Sequence, residues 1–136
     1  MSTLAFAHVG LTCKDPLAIE RFYTKYFGFQ RVRVVPLGDD QLVYTRSGNL
    51  TLEIFPAKEE RPISPPSADG YPWTGVRHLA FQVDDVDAKL AELGEDARIS
   101  LGPLEFDAFI PGWKTGWIAD PDGNIIEISQ GYTDAP

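Results

Sequence analysis

Apolar and polar positions follow the same order twice along this chain. Residues 4–12 alternate loosely, which predicts a strand. Asp15 followed by Pro16 predicts a helix start, with a capping carboxylate and then proline at the first helical position. Leu17, Ile19, Phe22, Tyr23, Tyr26 and Phe27 recur at roughly helical spacing, and Gly28 supplies the stop. Short strands are predicted over 30–36, 41–46 and 49–55, separated by GDD and SGN turns. A second series begins with a strand over 76–83. Asp84 or Asp85 caps a short helix carrying Val86, Leu90 and Leu93, which Gly94 ends. Strands over 98–101 (weak), 113–119 and 124–130 follow, the last two joined by the turn Asp120-Pro121-Asp122-Gly123.

The pattern predicts a single α+β domain over 1–136, built from two tandem β-α-β-β-β modules over 4–55 and 76–131. The segment 56–75 between them is rich in proline and polar residues and reads as a linker. The match extends to particular residues. His8 and His78, the only histidines, align at an offset of 70, and so do Asp15 and Asp85. Glu53 in GNLTLEIF and Glu127 in GNIIEIS stand 74 apart.

Residues two apart in a strand share a face. Val9 and Leu11 lie opposite His8, and Leu79 and Phe81 lie opposite His78. Leu52 and Ile54 flank Glu53, as Ile126 and Ile128 flank Glu127. All four polar residues therefore sit opposite an apolar face that a helix would cover. The uncovered face is expected to curve into a cleft holding His8, Thr12, Glu53, His78, Gln82 and Glu127. Carboxylates buried there would need a cation.

Composition narrows the partners. The formal net charge of −8 argues against a nucleic-acid backbone or an anionic membrane. No apolar run approaches the length of a membrane span, and the first residues do not read as a secretory signal. The single Cys13 fits a reducing compartment, so a cytoplasmic location is expected. Cys13 reads as a strand-end core residue rather than a nucleophile.

The paired modules, the HVGL and RHLAFQVDDVD segments and the DPDGN-IIEI ending resemble the vicinal oxygen chelate superfamily, which includes glyoxalases, bleomycin-resistance proteins and extradiol dioxygenases. The resemblance spans roughly residues 4–131 and implies a curved mixed sheet, or half-barrel, around a metal cleft. It places the four metal positions on His8, Glu53, His78 and Glu127. Glu53 makes the set more similar to the glyoxalase I branch, and implies a lyase or isomerase that moves a proton on a small oxygen-chelating substrate. Glu127 is the first choice for the base and Glu53 the second. An extradiol-type dioxygenase, a fosfomycin-type thiol transferase and a metal-free binding or resistance protein are the alternatives.

Two imidazoles and two carboxylates suit a divalent Zn, Ni, Co, Mn or Fe ion. After Glu53 the chain reads IFPAKEERP, which departs from the segment usual in lactoylglutathione lyases, although Lys58 and Arg61 could meet an anion. Phe106, Phe109 and Trp113, with Lys114 among them, are candidates for an apolar or aromatic substrate pocket. These side chains could equally fill the barrel mouth or a dimer contact, and Tyr71 and Trp73 could serve either purpose. Open sheet edges call for a partner, and the resemblance implies a homodimer, with modules paired either within a chain or across subunits.

Overall fold

The computed structural model of the chain describes residues 2–136. It divides into two compact units, Met1–Arg61 and Pro62–Pro136. The first runs β1 (Val9–Cys13), α1 (Pro16–Phe27), β2 (Gln30–Leu37), β3 (Asp40–Ser47) and β4 (Leu50–Pro56). Its sheet has the order β1-β4-β3-β2, with β1 parallel to β4 and the other neighbours antiparallel. The second unit runs β5 (Leu79–Gln82), α2 (Val86–Leu93), a 3-10 turn at Gly94–Asp96, β6 (Arg98–Glu105), β7 (Lys114–Ala119) and β8 (Ile125–Gln130). Its order β5-β8-β7-β6 reproduces the first, again with only the outer β5–β8 pair parallel. Two open four-stranded mixed sheets, each with one α-helix, make the α+β fold that the pattern predicts.

Local chemistry explains the helices. The Asp15 carboxylate accepts from the Ala18 amide at 3.1 Å, Pro16 opens α1, and Gly28 closes it in the left-handed region at φ 70°. Ile19, Phe22, Tyr23 and Tyr26 are buried on the side that packs on β4 and β1, where Leu52 and Ile54 are also buried. Each such side chain contributes about 1.5–3 kcal/mol by leaving water. Asp85, rather than Asp84, caps α2 by accepting from the Ala88 amide at 3.0 Å. That helix buries Val86 and Leu93 beside β7 and β8, which carry Ile118, Ile126 and Ile128.

Most strand boundaries shift by a residue from the sequence reading, and a few shift further. The first strand of each unit starts late, at Val9 and Leu79, because the parallel ladders begin at Val9↔Leu52 and Leu79↔Ile126. Each histidine therefore lies one residue before its strand. The strand expected over 98–101 continues to Glu105 through Gly102 and Pro103. It lies at the sheet edge, where a proline forfeits no ladder bond. The proline-rich segment holds no helix or strand beyond Pro56, the last residue of β4, and from Pro62 it belongs to the second unit. Cys13 is buried at the end of β1, its thiol 3.6 Å from the Leu11 carbonyl. Among the described residues, no helix is long and apolar enough to cross a membrane.

Candidate functional site

The strand registers settle which side chains share a face. In the first sheet Gly10 and Tyr44 flank Glu53, and His8 lies two residues before Gly10. In the second, Ala80 and Trp117 flank Glu127, and His78 lies two residues before Ala80. The alternate residues Leu52, Ile54, Ile126 and Ile128 face the helices and are buried.

Each unit brings its own histidine and glutamate together. His8 Nε2 lies 3.2 Å from Glu53 Oε1, and His78 Nε2 lies 2.9 Å from Glu127 Oε1. Both glutamates are largely shielded, with side chains 13% and 17% exposed. Within each unit the group is a pair. Among the described residues, no three His, Cys, Asp or Glu side chains gather as a ready-made metal cluster.

The second pair has a defined polarity. His78 Nδ1 lies 2.6 Å from the Asp69 carbonyl oxygen. A carbonyl can only accept, so Nδ1 carries the proton and donates it. In the neutral ring Nε2 is then a lone pair aimed at a carboxylate oxygen. Two acceptors this close need a cation, either a proton on Nε2 or a metal ion. Two donors held at right angles on an ion at about 2.0–2.2 Å would lie roughly 3 Å apart. The imidazole–carboxylate spacing in both units fits that geometry, and the Asp69 carbonyl is the kind of support that orients a ligating histidine.

The segment before β5 thus does more than link. Gly70 is buried, with φ 128°, and a Cβ there would lie 2.1 Å from the Arg77 carbonyl oxygen. The Arg77 guanidinium also binds the Asp69 carboxylate at 3.1 Å. Gly70→Ala should therefore push the 69–70 backbone away from His78, and the unfavourable backbone alone costs about 1–3 kcal/mol. Urea unfolding measures that loss. Imidazole ¹⁵N spectra should show the protonated Nδ1 of His78 in the parent and a tautomer mixture in the variant.

Tyr44 and Trp117 were not anticipated. The Tyr44 hydroxyl donates to Glu53 Oε2, which raises its pKa above the ordinary tyrosine value through that bond, then through desolvation and the nearby carboxylate charge. Its ring meets His8 edge-on at 5.9 Å. Trp117 meets the His78 ring edge-on at 6.4 Å. Its indole N–H is buried and has no partner among the described residues.

The expected pocket residues separate. Thr12 and Gln82 lie on the glutamate faces, paired with Phe55 and Ser129, and both are exposed. Trp113 stacks at an angle with Phe106 at 4.9 Å and Tyr132 at 5.6 Å, and its N–H donates to the Ser129 hydroxyl at 3.3 Å. Ser129 is two residues from Glu127, so this aromatic group borders the glutamate face. Phe109 is 77% exposed and stands outside it. Lys114 is not brought to Glu127. It shares the helix-covered face with Gly116 and Ile118, and its ammonium binds Asp87 of α2 at 2.6 Å, which raises its pKa. Tyr71 and Trp73 stack on each other at 4.6 Å, and Lys58 lies 3.5 Å from Asp40.

Residues 5–128 match the model of the Glyoxalase/Bleomycin resistance protein/Dioxygenase superfamily. The chain belongs to this superfamily. An uncharacterized protein of Escherichia coli (strain K12), YaeR, is 30% identical over 130 residues, covering 89% of this chain and 92% of its own. The fold is shared with the fosfomycin resistance protein FosX of Listeria monocytogenes, with TM-score 0.71, 13% identity and 96% of each chain covered. It is also shared with a lactoylglutathione lyase of Agrobacterium tumefaciens, with TM-score 0.63, 24% identity and 96% of each chain covered. Members of the superfamily commonly use divalent metals. Its range runs from lyase to resistance protein on one scaffold, so membership alone does not select an activity.

Proposed function

We propose that the chain is a metal-dependent lyase or isomerase of the glyoxalase type, which moves a proton on a small oxygen-chelating substrate. The observation that carries this reading is the matched pairing of an imidazole nitrogen with a carboxylate oxygen, once in each unit. A dioxygenase or thiol transferase of this superfamily would need only one glutamate in the set, and Glu53 supplies a second.

The proposed metal ligands are His8 and Glu53, paired in the first unit, and His78 and Glu127, paired in the second. A bound divalent ion such as Zn, Ni, Co, Mn or Fe would supply Lewis acidity, easing loss of a proton beside a substrate carbonyl. The residues do the rest. His78, locked by the Asp69 carbonyl, presents a fixed lone pair. Glu127 takes the proton from one substrate carbon and returns it to the next. Thr12 in the first unit, and Phe106, Trp113 and Gln82 in the second, are the proposed substrate-binding residues. Phe109 and Lys114 are left out of that role by their placement. A cytoplasmic homodimer belongs to the same proposal.

Metal analysis of the purified protein is the first test. Stoichiometric Ni, Co or Zn is expected, with turnover of methylglyoxal and glutathione that a chelator abolishes and the metal restores. Bound iron with oxygen uptake on a catechol would move the reading to a dioxygenase. Absence of any metal, with small-molecule binding that survives Glu127→Ala, would leave a binding protein and overturn the enzyme.

A further inference from the structure

The two units differ chemically at one matched position. Tyr44 is the cross-strand partner of Glu53, and Trp117 holds the same position opposite Glu127. Tyr44 donates its hydroxyl proton to Glu53 Oε2, leaving Oε1 toward His8. Trp117 gives Glu127 nothing, since its indole N–H finds no acceptor among the described residues. Among the described residues, one carboxylate is thus held at both oxygens, and the other at Oε1 by His78.

We propose that Tyr44 is a positioning residue that holds Glu53 in place as a metal ligand. This rests on the metal-dependent reading above. A carboxylate that accepts a hydrogen bond on one oxygen pays less to keep the other oriented toward an ion. One that lacks such a bond can swing away and accept a proton.

The test is Co(II) affinity, measured on metal-stripped protein by competition with a chelator and by the visible absorption of the bound ion. Tyr44→Phe removes only the hydroxyl, and Tyr44→Trp copies the residue of the other unit. Thr45→Val is the control, because Thr45 is next in sequence but pairs with Leu52 on the helix face. Either Tyr44 variant that keeps the parent melting cooperativity should bind Co(II) about 10- to 100-fold more weakly, the usual effect of losing a group that orients a ligand. The control should bind like the parent. Parental Co(II) affinity in both Tyr44 variants would overturn the role of Tyr44 and leave the metal reading intact. Failure of the parent itself to bind Co(II) would overturn both, and the two failures are told apart by the parent alone.

Discussion

Glu127→Gln should lower turnover by about 10²- to 10⁴-fold, the range that a positioned acid or base contributes. Glutamine keeps the length of the side chain and one oxygen, but it cannot accept a proton near neutral pH. The surroundings of Glu127 make the substitution structurally mild. Its neighbours Ile126 and Ile128 hold β8 against α2, and among the described residues its ion-pair partner is His78. The β7–β8 ladder, with Trp117 opposite position 127, depends on main-chain atoms that the substitution leaves alone. The loss should therefore fall on kcat, with a smaller change in KM. Deuterium wash-in from solvent to the substrate carbon should stop with turnover, because both follow from the same proton transfer. Glu53→Gln should behave differently, losing metal affinity first. A Glu127→Gln protein that exchanges deuterium at the parental rate would exclude Glu127 as the base.

Much of this arrangement is legible in the chain, for reasons that differ by residue. His8 and His78 fall on the predicted faces even though each precedes its strand, because the period of two persists beyond the hydrogen-bonded ladder. Tyr44 is legible too, by hairpin arithmetic. A two-residue turn at Gly48–Asn49 pairs Ser47 with Leu50, and counting back three on each side sets Tyr44 opposite Glu53. Alternation within β7 likewise puts Lys114 with Gly116 and Ile118, facing α2 rather than Glu127. Proximity in sequence to Phe106 and Trp113 suggests the opposite, and the strand period overrides it. Asp69 belongs to another class. It acts through its main-chain carbonyl from an irregular segment, so its side chain carries no signal of the role. Gly70 is the nearest clue, since a residue with φ 128° and no room for a Cβ marks a close backbone approach.

The other large effect is on stability. Asp120→Ala should cost about 3 kcal/mol or more, since each hydrogen bond to a charged group contributes about 1.5–3 kcal/mol and the carboxylate accepts several. Asp120 is fully buried, and its carboxylate organises the DPDGN turn. Oδ1 accepts from the Asp122 and Asn124 amides at 2.9 and 3.0 Å, and Oδ2 accepts from the Asn124 side chain at 2.9 Å. The main chain adds to this. The Asp120 amide donates to the Asn124 carbonyl at 2.9 Å, and its own carbonyl accepts from the Gly123 amide at 2.9 Å and from the Arg98 guanidinium. Alanine would strip three acceptor contacts at once from a turn that starts β8 at Ile125. Asp120→Asn should cost less, because an amide oxygen can still accept from both main-chain amides while losing only the Asn124 side-chain bond. Urea unfolding of the two variants should rank them in that order. Because the turn sets where Glu127 sits opposite Trp117, Asp120→Ala should also weaken Co(II) binding in the fraction that remains folded. Equal stabilities for the two variants would show that the carboxylate contributes as charge alone, not as the acceptor that shapes the turn.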